Sequence, residues 1–332
     1  AVSQQLRLEL TKRLPALLGG PVEVTQLTLL AGGASMEAWA LDAHMPQGTL
    51  SLVLRRASGG RIYPDALSLE QEHALVTEAH RSGVKVPRPY GFLPDLLGHD
   101  AFLMERLSGE TVGRRIVRLP ELAEARALLP AQMGEELARI HALDLERLGF
   151  LPGSRSGSSA RRAIEGLVAQ LDSVGEPHPA IELGIAWLRD HLRDTGPAVV
   201  LHGDFRIGNL MVGPEGLRGV LDWEFARVGD ALEDLTWPSV KAWRFGMDEM
   251  RLGGIAPDER ALIERYSRLT DRQVDPADFH AYELLGNVRW AIGSLQQAQR
   301  HLRGEEKSVE LAILGRLACE VEHEILSLLE TR

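Results

Sequence analysis

Cysteine is nearly missing: Cys319 is the only one in 332 residues. A single thiol cannot close a disulfide within the chain, and it excludes a cysteine-built metal cage. Lysine is almost as scarce. Lys12, Lys85, Lys241 and Lys307 are the only four, and arginine supplies the rest of the 37 basic residues. The usual phosphate-gripping lysine therefore has no candidate between residues 13 and 84. An excess of positive charge is also lacking. The formal net charge of −10 argues against nucleic acid or an anionic membrane as partner, since both favour a basic face. No apolar run approaches the roughly 20 residues that a membrane-spanning helix needs. No Gly-x-Gly-x-x-Gly follows the first strand-like segment, which excludes a dinucleotide-binding Rossmann unit. Residues 1–18 alternate charges with leucines like an amphipathic helix, without the apolar core of a signal peptide. The expected location is cytoplasmic, and nothing in the sequence speaks to oligomeric state.

What is there suits a globular chain: 44% hydrophobic and 25% charged residues, with 5% aromatics. The length suffices for one large domain or two lobes. Residues 24–30, 37–41 and 50–55 read as strands joined by glycine-containing turns, an antiparallel meander. Residues 66–82 read as a helix ended by Gly83. Pro87 and Pro89 mark an extended stretch, and 101–105 a further strand. Ser108-Gly109 then marks a turn, which predicts a mainly β lobe over 1–107 and a mainly helical one over 108–332. Helical spacing appears over 122–145, 160–173, 180–194, 231–243, 257–270, 276–302 and 307–330. Residues 151–159 read as a loop, and 198–201 and 219–222 as short strands.

The chemistry concentrates in Leu201-His-Gly-Asp-Phe-Arg-Ile-Gly-Asn-Leu210 and Val220-Leu-Asp-Trp-Glu224. Phosphoryl transfer needs a carboxylate to orient and deprotonate the attacking hydroxyl, and oxygen ligands for a magnesium ion on the nucleotide phosphates. Asp204, Asn209 five residues on, and Asp222 on the next strand meet those needs. A histidine-based hydrolase metal site would require further histidines at ligand spacing, and none lies nearby.

These motifs resemble the aminoglycoside phosphotransferase and choline kinase superfamily, relatives of the protein kinases. They are most similar to the branch found as the N-terminal kinase-like domain of some acyl-CoA dehydrogenase proteins, on the strength of Leu221-Asp-Trp-Glu224 followed by Gly229-Asp230. The resemblance implies an α+β, protein-kinase-like, two-lobed fold with a small, mainly antiparallel β N-lobe and a larger helical C-lobe. It implies ATP and Mg2+ as cofactors and a small-molecule hydroxyl compound as acceptor. Asp204 takes the place of the catalytic base, Asn209 and Asp222 those of the metal ligands, and Glu224 that of a second acidic residue. His202 reads as a structural histidine bracing the loop.

On the nucleotide side, Gly32, Gly33, Ala34 and Ser35 form a turn whose backbone N–H groups and hydroxyl can meet phosphate. Strand alternation puts Val53 and Arg55 on one face, so Val53 would touch adenine. Arg55 would bind the phosphates in place of the family's lysine. Arg56, on the other face, is expected to be solvated. Glu72 is expected to pair with Arg55, with Glu70 and Glu78 as rivals. Residues 102–107 resemble a hinge: Met104 would line the adenine pocket, and backbone groups of Glu105 and Leu107 would bind its edge.

The acceptor side is quieter. Its candidates are Arg206, Glu224, Asp230, Asp234, Trp237, Trp243, Arg244, Arg289 and Trp290. Residues 226–332 hold 19 acidic against 14 basic side chains, too mild an excess to favour a polycation. A neutral or anionic hydroxyl compound, similar to a hydroxyacyl-CoA, is expected from the branch resembled, as an aminoglycoside is not. An aminoglycoside or amino-alcohol kinase, and a catalytically silent nucleotide-binding regulatory module, are the competing readings. A protein kinase is disfavoured, because His-Gly-Asp and Asp-Trp-Glu replace His-Arg-Asp and Asp-Phe-Gly, and no Ala-Pro-Glu segment follows.

Overall fold

The computed structural model describes residues 2–32, 36–59, 63 and 65–331. Its chain divides into two compact units. The first comprises Ala1–Gly109 with Leu143–Pro152 and Arg218–Ala226, and the second holds Glu110–Ala142, Gly153–Leu217 and Arg227–Arg332. A cut in the sequence near residue 108 thus misses two segments that return to the first unit. One of these carries Asp222.

In the first unit, helix α1 (Val2–Leu18) precedes strands β1 (Glu23–Gly32), β2 (Met36–Met45) and β3 (Gly48–Ala57). Helix α2 (Leu69–Arg81) and strands β4 (Pro89–Leu96) and β5 (His99–Glu105) follow. The strands form one sheet in the order β1-β2-β3-β5-β4, every neighbour antiparallel. Leu6, Leu10 and Leu14 recur every four residues, so they share one face of α1, and all three are fully buried. They pack with Trp39, Leu41, Leu52, Leu54 and Leu103 of the sheet in one apolar cluster. Each such leucine contributes about 1.5–3 kcal/mol of burial. The helix expected over 66–82 starts later, at Leu69. There Ser68 caps it, accepting from the Gln71 N–H while Gln71 returns a bond to the Ser68 N–H, a reciprocal arrangement that fixes the first turn.

The second unit contains α3 (Gly113–Ile116), α4 (Ala123–His141), α5 (Ser159–Val174) and α6 (Pro179–His191). The short strands β6 (Val199–Leu201) and β7 (Leu210–Gly213) come next. Strand β8 (Gly216–Val220) begins here and runs into the segment assigned to the first unit, and β9 (Arg227–Gly229), back in the second, pairs antiparallel with β6. Helices α7 (Ala231–Thr236), α8 (Arg260–Thr270), α9 (Pro276–Leu302) and α10 (Val309–Glu330) complete it. The 27-residue α9 is the spine, with α5, α6, α7 and α10 packed along it. Helices α4 and α8 approach closely because residue 134 is glycine: a Cβ there would sit 2.3 Å from the Leu262 carbonyl oxygen.

Two expectations from the sequence give way. The helix read over 231–243 ends at Thr236 and continues only as the 3-10 turns Trp237–Ser239 and Lys241–Arg244. Pro238 offers no N–H to a helix and crowds the preceding turn. The strand read over 219–222 is Gly216–Val220. Asp222 lies beyond it with φ of 57°, a left-handed conformation that Asp tolerates better than most residues.

Candidate active site

The first unit assembles a charged cluster on the face of the sheet opposite α1. Val53 pairs across the ladder with Met104, and Arg55 with Phe102, so alternation sets Val53, Arg55 and Met104 on one face while Leu52 and Leu54 enter the core. Arg55 lies between two carboxylates. One Nη is 2.5 Å from Asp222 Oδ1, and the other is 3.1 Å from Glu72 Oε1. Glu72 is buried on α2 at 1% exposure, whereas the Asp222 side chain keeps 44% of its surface open. Burial works against the Arg55 charge, but Glu72, Asp222 and Glu224 together hold its pKa above the ordinary guanidinium value. Burial likewise pushes the Glu72 carboxyl up, against the pull of Arg55 and a hydrogen bond from the Trp223 backbone. Arg55 Nε is buried and carries no hydrogen bond among the described residues, so the guanidinium retains an uncommitted donor.

Other nucleotide-side residues fall as follows. Gly32 ends β1 and pairs with Glu37; Gly33, Ala34 and Ser35 lie outside the described residues. The Glu105 N–H donates to the Arg88 carbonyl at 2.8 Å, so only the Glu105 carbonyl is left for the role expected of its backbone. Leu107 packs close to Gly219, where a Cβ would meet its Cδ1 at 2.4 Å. Glu224 belongs to this first unit, its carbonyl accepting from the Leu67 N–H. Arg56 is a correction: it is 6% exposed rather than solvated. It faces the core side of the sheet, where Glu37 Oε2 at 3.1 Å and the Leu96 and Leu97 carbonyls hold it. A buried arginine requires such partners, and no local pattern could reveal carbonyls 40 residues away.

The second unit builds its own cluster in the loop between β6 and β7. Gly203 has φ of 84°, a turn that lets the chain leave β6 and present Asp204. Three donors fix that carboxylate. Trp237 Nε1 reaches Oδ1 at 2.8 Å, Arg206 Nε reaches Oδ1 at 3.2 Å, and Asn209 Nδ2 reaches Oδ2 at 2.6 Å. The Asn209 Nδ2 also donates to the Asp204 carbonyl at 3.0 Å, which turns the amide oxygen to the opposite side. His202, fully buried, accepts the Asp204 N–H on Nδ1 at 3.1 Å. Behind the loop stands Asp234 of α7, also buried. It accepts from the N–H groups of His202 (2.7 Å) and Gly203 (3.0 Å), and from His141 Nε2 at 3.2 Å. His141 Nδ1 meets the Tyr266 hydroxyl at 2.7 Å. Burial opposes ionisation of Asp234, yet the hydrogen bond and charge of His141, with the Gly203 amide, hold its carboxyl below the usual range.

The acceptor candidates divide. Arg206 lies over the Trp243 ring, 4.0 Å from its centroid, beside Asp204. Asp230 is 1% exposed and caps α7, accepting from Leu232 N–H and from both the N–H and hydroxyl of Thr195. Asp234 holds the loop, as described. Arg244 is 4% exposed and bonds Glu324 at 2.7 Å and the Ser239 carbonyl. All three are committed to the fold, which removes them from acceptor contact. Arg289 pairs with Glu233 at 3.0 Å, and Arg227 reaches the same carboxylate at 2.6 Å. The sequence reading missed the bracing network of His141, Asp234 and Tyr266. Its only local signal was a histidine on the apolar stripe of α4.

No group of three or more His, Cys, Asp or Glu side chains among the described residues is placed to hold a metal by itself. Magnesium takes hard oxygen ligands, commonly one or two from protein with phosphates and waters completing the shell. The Asp222 carboxylate of the first unit, 44% exposed, and, separately, the Asn209 amide oxygen of the second are oxygen donors of that chemical type.

A five-stranded antiparallel sheet with a helical unit bearing the His-Gly-Asp loop defines a small-molecule phosphotransferase with a kinase-like fold. The chain belongs to the phosphotransferase enzyme family, whose sequence profile matches residues 26–300. It is similar to acyl-CoA dehydrogenase family member 10 of Mus musculus, 30% identical over 238 residues, covering 69% of this chain and 21% of that protein. The chain spans about a quarter of the length of the curated relatives it matches. Among solved structures, a Ralstonia eutropha protein named by inference as an aminoglycoside phosphotransferase superposes with a TM-score of 0.70 at 23% identity. That match covers 93% of this chain and 92% of that one. A ternary complex of a thermostable mutant of the aminoglycoside phosphotransferase APH(4)-Ia with ADP and hygromycin B gives a TM-score of 0.57 at 17% identity, covering 96% of this chain and 98% of that one. No helix among the described residues is long and apolar enough to cross a membrane.

Proposed function

We propose that this phosphotransferase moves the γ-phosphoryl group of ATP to a hydroxyl of a small molecule, with Asp204 as base and Mg2+ held by Asn209 and Asp222. The observation that carries the reading is the Asp204 carboxylate, oriented by three donors in a loop that supplies Asn209 beside it. Asp204 takes the proton from the acceptor hydroxyl as its oxygen bonds to phosphorus and ADP departs. Mg2+ would neutralise charge on the phosphate oxygens. Arg55, held charged between Glu72 and Asp222, supplies positive charge for the phosphates. Val53 and Met104 supply the apolar wall for adenine, and the Glu105 carbonyl and Leu107 N–H its polar edge. ADP in the complex of a protein with the same fold supports a nucleotide as ligand.

For the acceptor, the acyl-CoA dehydrogenase names of the relatives support a hydroxyacyl-CoA-like or other neutral or anionic metabolite. Arg206 beside the base points the same way, because a cation there disfavours a polyamine. The test is an ATP-consumption screen over hydroxyacyl thioesters, sugars, amino alcohols and aminoglycosides, run on the wild type and on Asp204→Asn. The variant is expected to lose about 10²–10⁴-fold in turnover with its circular dichroism unchanged, and chelation of divalent ions should silence the wild type. Wild-type turnover by Asp204→Asn would overturn the assignment of the base, and a preferred aminoglycoside would overturn that of the acceptor.

A further inference from the structure

A cavity of about 860 Å³ opens in the second unit, with Arg114, Arg118, Lys241, Phe245, Trp290 and Cys319 in its walls. That volume falls in the range of small-molecule sites. Two carboxylates, Asp248 and Glu320, also face it, but Asp248 is held by Lys241 at 2.7 Å. Arg118 gives one Nη to the Phe245 carbonyl at 2.8 Å, and Arg114 has no ion pair among the described residues. Positive charge therefore exceeds negative on this wall, in a chain whose net charge is −10. The local sign opposes the global one, so composition alone does not produce it. Guanidinium forks match phosphate and carboxylate geometry, and the Trp290 and Phe245 rings offer flat apolar surface.

The cavity is tied to the base through a row of indoles. Trp237 donates to Asp204 at 2.8 Å. Its ring lies 5.8 Å from that of Trp243, which lies 6.2 Å from that of Trp290 in the cavity wall. We propose that this cavity binds the anionic end of the acceptor, a phosphate ester or carboxylate remote from the hydroxyl that Asp204 deprotonates. The inference rests on Asp204 being the base, and it deepens that reading by naming an acceptor with a negatively charged tail.

Cys319 provides the test, because it is exposed, lines the cavity and is the only thiol in the chain. Its alkylation by an uncharged maleimide is followed on the full chain without nucleotide. Inorganic pyrophosphate and citrate represent the two anion chemistries, and kanamycin represents a polycation. The expected result is severalfold slower alkylation with at least one anion, no protection by kanamycin, and loss of protection in Arg114→Glu. For an anionic acceptor that is turned over, Arg114→Glu is expected to raise the acceptor KM by about 10- to 100-fold, the size of one charge-assisted hydrogen bond, with the KM for ATP unmoved. Unchanged alkylation with both anions, or equal protection in Arg114→Glu, overturns the proposal. Asp204→Asn should keep the protection while losing turnover. Protection without any phosphoryl transfer would sink the kinase reading and leave the anion site standing.

Discussion

Replacing Asp234 by asparagine tests the physical account of the loop that carries Asp204 most directly. The carboxylate is buried and accepts three hydrogen bonds, from His202 N–H and His141 Nε2 on one oxygen and from Gly203 N–H on the other. Asparagine has nearly the same shape but a single acceptor oxygen. If that oxygen serves His202 and His141, the new NH2 group faces the Gly203 N–H, donor against donor. One charge-assisted bond disappears, about 1.5–3 kcal/mol, and one buried N–H is left unsatisfied, about 1–3 kcal/mol. The sum, roughly 2.5–6 kcal/mol, is a large share of the 5–15 kcal/mol that typically holds a domain. Urea unfolding followed by tryptophan fluorescence reads it as a lower midpoint at constant slope. Because His202 and Gly203 directly precede Asp204, turnover at temperatures where the variant is still folded should fall as well. A loss below about 1 kcal/mol would refute the reasoning, since the three short bonds would then contribute almost nothing.

Removing the Arg55 charge by Arg55→Met strands Glu72, which is 1% exposed, and should cost about 3–5 kcal/mol; adding Glu72→Gln should recover part of it, and an uncoupled pair in the double-mutant cycle would contradict the ion pair. Acid should unfold the second unit early. Glu233 and Asp234 have folded pKa values below their ordinary ones: burial opposes the shift, and Arg227 and Arg289 outweigh it at Glu233, as His141 does at Asp234. The folded state therefore binds fewer protons than the unfolded state. The stability these groups confer is complete above the ordinary carboxylate range near pH 4 and is lost as pH falls through their folded values. Thermal melts between about pH 5 and pH 2 should show a steep decline that Glu233→Gln flattens.

Local pattern carried much of this protein. Four-residue spacing of leucines made α1 legible, alternation put Val53 and Arg55 on one face of β3, and the His-Gly-Asp and Asp-Trp-Glu motifs pointed to the phosphotransferase family. These features depend on neighbours within a few residues, so a linear reading reaches them. It failed where partners come from far along the chain. Arg56 looked solvated because Leu96 and Leu97 are distant in sequence, and Asp230, Asp234 and Arg244 looked available because Thr195, His141 and Glu324 are distant too. Pro238 was present to be read, yet only the folded chain shows the helix stopping before it. The sequence by itself determined the family of chemistry, the antiparallel meander and the helical remainder, since periodicity and motif spacing are local. Tertiary structure alone decided which charges are buried and paired, which are open, and that a basic cavity exists in an acidic chain. Burial and pairing are properties of the whole fold, and no window of residues contains them.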